Sequence, residues 1–420
     1  MYNKKFGRYV PVPEPATSDR IIACHYYSGW QPGGTPLHNG WADLEEFPER
    51  TPLLGYYDDT NPEVIDWEIK WACEHGINCF VYCWYRYQSN MGKPVTREAL
   101  RLGGALHEGL FRARYRSYIK FAIMWECQRK RWGTAKDADD IVNNILPFWI
   151  DEYFSKDNYL MIDGKPVVFI YAQKQLIEEL GSEEELKTAF ERCNEEMKKR
   201  GYAGIHFSCM ENSVDKVARD DFENSGLVEY YNGKCGFDSG FQYTWPTWYE
   251  MLDTEEKLLE YEKTLRVPED DVIDLQMKFI TNRAKCNPEF YMFTNSVMRD
   301  SEPWYSIFNI NPVWPRTQWQ LTPKKWRELL EKTKKVLDDL PEGSIGKKIF
   351  MLDNWNEWGE GHFIAPHLGN GFKYLQAVRD VFTERDNIPD YRTPEVLGFG
   401  PYDKEWLKRI EEFKNKQNEE

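Results

Sequence analysis

The chain has 420 residues, with 54 basic side chains against 69 acidic ones and a formal net charge of -15. That balance argues against nucleic acid or an anionic membrane surface as the main partner, because both demand basic patches. Hydrophobic residues at 41% and charged residues at 29% are globular values, which excludes disorder for most of the length.

In chain order, the first apolar run is Arg20 to Tyr27 (RIIACHYY), followed by a helix from about Pro62 to His75. A strand is predicted over Ile77 to Trp84, a helix near Thr96 to Ala113 and a strand over Tyr118 to Trp125. Next come a helix over Asp137 to Phe154, a strand over Lys165 to Tyr171, a charged helix over Glu183 to Arg200 and a strand over Gly204 to Met210. Leu227 to Tyr231 reads as a weak sixth strand and Phe290 to Thr294 as a better seventh. A helix over Pro323 to Leu340, a strand over Lys348 to Asn354 and a helix over Gly371 to Thr383 complete the pattern. Eight strands alternating with helices, or with room for them, predict an α/β fold of the (β/α)8 TIM-barrel type with long βα loops at the C-terminal rim. The alternative is an open doubly wound sheet, but the first βα turn (Tyr27-Ser-Gly-Trp-Gln-Pro-Gly-Gly) lacks the glycine fingerprint of a dinucleotide site.

The long loops fall at Ser28 to Asn61, Asn232 to about Thr254 and Asn295 to Leu321. The expected division is an N-terminal extension over 1–19, a catalytic barrel over 20–390 and a charged tail or helix over 391–420. Nine scattered cysteines include no C-x-x-C pair and no spacing that suits zinc, so free buried thiols are expected. The start, Met1-Tyr-Asn-Lys-Lys-Phe-Gly, has basic residues with no apolar stretch behind them. The expectation is a soluble cytoplasmic protein, or a periplasmic or secreted one if a leader has been removed.

Aromatic residues reach 15%, including 17 Trp and 25 Tyr. Cores rarely need so many indoles and phenols, whose polar ends must find partners when buried. Sugar clefts do use them, because a ring packs against the apolar face of a pyranose while polar neighbours read its hydroxyls. The segment Asn354-Trp-Asn-Glu-Trp-Gly-Glu-Gly-His362 stands out at the end of the predicted last strand, where a barrel places its chemistry. One turn of helix-like backbone would set Glu357 and Glu360 on one side, between Trp355 and Trp358. Desolvation and like charge would then split their pKa values into an acid and a base. That is what cleavage of a glycosidic bond requires. A surface turn with two solvated glutamates is the plain alternative. Asp137-Ala-Asp139-Asp140 spells D-x-D, a pattern that holds a metal in some sugar transferases, but here it opens a helix and capping explains it.

With Gly371-Phe-Lys-Tyr-Leu-Gln-Ala-Val-Arg-Asp-Val-Phe382 behind it, Asn-Glu-Trp-Gly-Glu-Gly-His resembles the end of the WbsX-like domain, related to glycoside hydrolase family 99, the endo-α-mannosidases. Leu54-Gly-Tyr-Tyr-Asp-Asp-Thr-Asn-Pro-Glu-Val64, the run Glu74 to Tyr85, Trp125-Glu126 with Arg131-Trp132, and Asn158 to Tyr171 continue the resemblance over roughly 20–382. It implies a (β/α)8 barrel acting on α-linked sugars with net retention and no cofactor or metal. Carried over, Glu357 deprotonates the sugar 2-hydroxyl to give a 1,2-anhydro intermediate, and Glu360 serves as general acid and then base. The chain departs from the endo-mannosidases after the pair, with His362-Phe-Ile-Ala-Pro366 in place of a Thr-Gln-Ile-Glu-like run.

Strand ends supply the remaining candidates for substrate binding. These are His25, Tyr26, Tyr27, Trp30, Trp84, Tyr85, Trp125, Glu126, Tyr171, Tyr231 and Asn295, joined by Trp355, Asn356, Trp358 and His362 from the motif. The expected partner is a glycan or oligosaccharide, with neither nucleic acid nor membrane. Three functional classes are in play: a glycoside hydrolase, a WbsX-type glycosyltransferase in polysaccharide assembly, and a carbohydrate-binding barrel without catalysis.

Overall fold

The computed structural model describes residues 9–35, 40–128, 133–211, 226–243, 254–300, 318–384, 387–398 and 402–403. Eight parallel strands form its centre: β1 Ile21–Tyr26, β2 Cys79–Arg86, β3 Lys120–Glu126, β4 Lys165–Tyr171, β5 His206–Met210, β6 Ser239–Phe241, β7 in two pieces (Tyr291–Met292 and Thr294–Asn295) and β8 Ile349–Asn354. Each pairs with the next in chain order, and β8 pairs back onto β1. The first piece of β7 bonds to β6 and the second to β8, so this one interrupted strand closes the ring. The result is a (β/α)8 barrel, as the alternation of apolar runs and helical stretches predicts. Every residue of β2 is buried, which is why Cys79 to Tyr85, all but its last residue Arg86, form a continuous apolar run rather than an alternating one.

The outer layer follows from ordinary helix signals. Helix α1, Pro62–Glu74, starts on an Asn61 side chain that accepts from the Glu63 amide, with proline in its first turn. Helix α2, Glu183–Lys199, is capped by Ser182 and opens on three glutamates. Helix α3 (Glu269–Cys286), α4 (Pro323–Asp338) and α5 (Lys373–Phe382) cover the later strands. Residues 138–154 are continuously helical, alternating α and π turns.

Two expectations need correction. The stretch 96–113 is no single helix: a short strand at Leu100–Arg101 pairs with β2 and separates helical turns at Arg97–Ala99 and 105–112. Leu102 takes a left-handed φ of 57° just before Gly103 and Gly104, a sequence that breaks a helix. The sixth strand is Ser239–Phe241, whereas 227–234 is helical. Leu-Val-Glu-Tyr-Tyr has the side chains of a strand, but the real strand is only three residues long and carries a glycine. A Cβ at Gly240 would meet the Phe290 ring at 2.9 Å, so the approach of the neighbouring strand demands glycine there. The second long loop accordingly begins after Phe241. The predicted charged helix over 404–420 lies outside the described residues, as do Arg131 and Trp132.

Strand alternation decides which aromatic groups fill the barrel. His25 of β1, Phe169 of β4 and Phe241 of β6 point inward, the His25 ring lying 6.1 Å from Phe169 and 5.4 Å from Phe241. Tyr26, one residue on, points outward onto Tyr82 and α1. All nine cysteines are free thiols, eight of them buried.

Candidate active site

After β8 the chain turns at Trp355 into a small antiparallel hairpin, β9 Asn356–Glu357 and β10 His362–Phe363, with Glu357 opposite His362. The backbone is thus hairpin and not helix-like. A Glu360 amide to Glu357 carbonyl bond of 3.2 Å closes the turn, and Gly361 supplies the positive φ of 71° that the return requires. The hairpin sits beyond the C-terminal end of β8, at the barrel's mouth.

Its frame is held from several sides. The Asn356 side chain accepts from the Tyr27 amide at 2.8 Å and donates to the Tyr27 carbonyl at 3.0 Å. The Trp30 indole donates to the Asn356 carbonyl at 2.8 Å, and the Trp355 indole donates to Glu68 of α1 at 3.1 Å. Arg50 donates to the Trp358 carbonyl at 3.2 Å, while the Asp300 amide bonds the Gly361 carbonyl at 2.8 Å. A carboxylate carried on a turn pinned this way has little freedom to drift, which is what positioned chemistry needs.

Glu357 is 2% exposed. Its Oε2 accepts from the Tyr243 hydroxyl at 3.0 Å, and that hydroxyl accepts in turn from the Asn354 amide at 3.0 Å. Among the described residues, its Oε1 is buried with no hydrogen-bond partner. Burial, then the charge of Glu360, pushes the Glu357 proton affinity well above the usual carboxylate range. Glu360 stands nearer solvent, its side chain 29% exposed, with Oε2 3.3 Å from His362 Nε2. On the other face of that ring, Nδ1 lies 3.0 Å from Asp353 Oδ1, and Asp353 Oδ2 accepts from the Ser296 hydroxyl. Burial alone would depress His362, but the charge and hydrogen bond of Asp353, with Glu360 behind them, outweigh it and push the ring up to about 10. At neutral pH His362 is therefore an imidazolium with a carboxyl group at each ring nitrogen.

The sequence candidates divide into two groups. Tyr27, Tyr85 and Glu126 gather around Glu357, where its charge and that of Glu126 add to burial in raising the proton affinity of their neighbours. Tyr171 joins them through Tyr243, whose ring is 5.2 Å from its own. His25 lies one layer deeper, 5.0 Å from the Tyr243 ring. The other group faces elsewhere. Trp84 and Trp125 point out of the barrel into the helical layer, packing on Trp149, and the Trp84 indole donates to Tyr153 at 2.9 Å. Tyr26 donates to Glu68 at 2.8 Å. Asn295 donates to Gln276 of α3 at 3.2 Å. Tyr231, on the helical turn that replaced the expected strand, meets Gln173 at 3.3 Å. Trp355, Asn356 and Trp358 frame the hairpin from behind, Trp358 packing on Phe363 at 4.3 Å, and Trp30 stacks near Trp41 at 4.3 Å. The ring nitrogens of His362 face carboxylates rather than the open mouth.

Tyr243, Asp353, Ser296 and Cys83 escaped the sequence reading. Tyr243 follows β6 directly, so misplacing that strand hid it. Asp353 was legible as an acidic residue closing an apolar strand one position before Asn354. The D-x-D aspartates are occupied by structure: Asp137 caps the helix, Asp139 pairs with Arg192, and Asp140 pairs with buried Arg86 at 2.9 Å.

Among solved structures, the chain is similar to a glycoside hydrolase-like protein at 16% identity and TM-score 0.57, covering 90% of this chain and 98% of the other. It is also similar to a GH99 endo-α-mannosidase from Bacteroides thetaiotaomicron at 15% identity and TM-score 0.54, covering 87% and 97%. These likenesses are of fold. Among sequence relatives, the uncharacterized protein WxcX of Xanthomonas campestris pv. campestris is 21% identical over 395 residues, which is 86% of this chain and 48% of WxcX. The chain thus spans about half the length of that relative. The profile of the family described as Glycosyltransferase WbsX matches residues 127–378, well over half of the chain and inclusive of the whole hairpin. The chain belongs to the WbsX family.

Proposed function

We propose that this protein is a glycoside hydrolase that cleaves an α-glycosidic bond in a glycan through Glu357 and Glu360, with net retention. The observation that carries this reading is the pairing of two unlike carboxyl groups on one pinned hairpin at the barrel's mouth: Glu357 buried with a bare oxygen, Glu360 half-buried against an imidazolium. Burial raises the basicity of the Glu357 carboxylate, so that its ionised form is suited to drawing the proton from a sugar hydroxyl that donates to Oε1. Tyr243 steadies the opposite oxygen. Glu360 gives a proton to the departing glycosidic oxygen as the sugar's own 2-oxygen closes on C1; water then opens the 1,2-anhydro ring, passing a proton to Glu360 while Glu357 returns its proton to the 2-oxygen. Tyr27, Tyr85 and Tyr171 supply the apolar faces and hydroxyls that hold a pyranose.

The test is a panel of α-linked glycans with products followed by mass spectrometry. Release of a shortened glycan that stops in both E357Q and E360Q, with circular dichroism unchanged, is the expected outcome. Undiminished turnover in both variants overturns the assignment of the pair. The family's description as a glycosyltransferase favours a second reading; tight calorimetric binding of a nucleotide-sugar, with transfer and no hydrolysis, would replace the first.

A further inference from the structure

The buried Asp353–His362 pair has no part in the chemistry just given. His362 is 0% exposed and Asp353 3%, and a buried ion pair is costly unless something requires it. The groups facing the ring are Asp353 at the end of β8, Glu360 and Glu357 on its own hairpin, His25 on β1 and Tyr243 after β6. Of these, only Asp353 and Glu360 meet its nitrogens, one on each side, in a line running from the barrel core to the mouth. Ser296, just after β7, fixes the far end of the line by donating to Asp353.

We propose that Asp353 and His362 are a proton relay that keeps Glu360 supplied as the general acid. The inference rests on the glycosidase reading above and deepens it. As Glu360 releases its proton to the leaving oxygen, the new carboxylate draws the Nε2 proton of His362, and Asp353 holds the ring in place from Nδ1. In the second step the proton of the attacking water passes to Glu360 and on to Nε2, so that ring and carboxyl end the cycle as they began. His362 and Asp353 touch no substrate atom in this scheme; they are positioning residues acting through Glu360. The 3.3 Å separation is one that a bound sugar would tighten.

The experiment compares wild type, H362Q and D353N on two substrates of the same glycone: the native glycan, whose sugar leaving group needs a proton, and an aryl glycoside, whose leaving group needs none. The relay predicts that H362Q lowers kcat on the native glycan by about 100-fold and on the aryl glycoside by less than about 5-fold, with KM nearly unchanged. D353N follows the same pattern with a smaller loss, and the alkaline limb of the wild-type pH profile moves to lower pH in both. Equal losses on both substrates mean that the ring only holds the hairpin in shape, and they overturn the relay. So does full activity in H362Q. Should either variant fold poorly, the leaving-group ratio of the soluble fraction is the deciding readout, since loss of folded protein scales both rates alike. Failure of the glycosidase reading itself is a separate result, seen as native turnover in E357Q and E360Q.

Discussion

Two buried glutamates lie on either side of β1, and their difference separates a working group from a supporting one. Glu68 of α1 is 1% exposed and burial pushes it up to about 8; Glu357 is 2% exposed and burial raises it well above the usual range too. By proton affinity alone both would be active-site acids. Their hydrogen bonds say otherwise. Both Glu68 oxygens are taken, Oε2 by the Tyr26 hydroxyl and Oε1 by the Trp355 indole. One Glu357 oxygen has no partner among the described residues. A shifted pKa marks desolvation, and the hydrogen bonding of the oxygens is what tells the two acids apart.

The sharpest way to break this contrast is to neutralise each acid in turn. E357Q should cost about 10²–10⁴-fold in kcat on the native glycan, the usual range for positioned acid–base groups, and leave the unfolding midpoint near that of wild type. E68Q should do the reverse. Its amide nitrogen would confront either the Trp355 indole or the Tyr26 hydroxyl, at a cost of about 1–3 kcal/mol in urea unfolding. Activity would be largely kept. If E68Q stops catalysis with stability intact, the distinction drawn between the two acids is wrong. Smaller still is Y243F, which removes the hydroxyl on Glu357 Oε2; about a 10-fold loss in kcat is expected, read by steady-state kinetics.

The smallest effect concerns two histidines at the mouth with opposite shifts. His25 is lowered to about 3 by burial, then by the charge of His362, so its contribution to stability is present above the unfolded value near 6.5 and is lost as pH falls towards 3. His362 is raised to about 10, so its contribution is complete below about 6.5 and is lost as pH rises towards 10. Unfolding measured across pH should therefore weaken on both sides, and H362Q should flatten the alkaline side and, by removing a charge that lowers His25, soften the acid side as well.

What the sequence made legible follows the same physics. Strands buried on both faces announce themselves as apolar runs, and seven of the eight barrel strands lie where such runs stand. The exception, Ser239–Phe241, is short and holds Gly240 because Phe290 crowds it, a constraint invisible in one dimension. The motif around Glu357 was legible because both acids and their glycines are adjacent in the chain. Which way each aromatic group points was not. Trp84 and Tyr85 are neighbours in β2, yet one enters the helical layer and the other reaches the neighbourhood of Glu357, a split set by alternation and barrel closure together. Tyr243, Asp353 and Ser296 converge from three different strand ends, and only the closed ring brings them to His362 and Glu357.

The central claim is most directly tested by following the anomeric proton of the first-formed product by NMR during cleavage of an α-linked glycan. The account predicts that the α-anomer appears first with wild type and that no product forms with E357Q or E360Q. A β-anomer appearing first, or continued release of product by both variants, would contradict it.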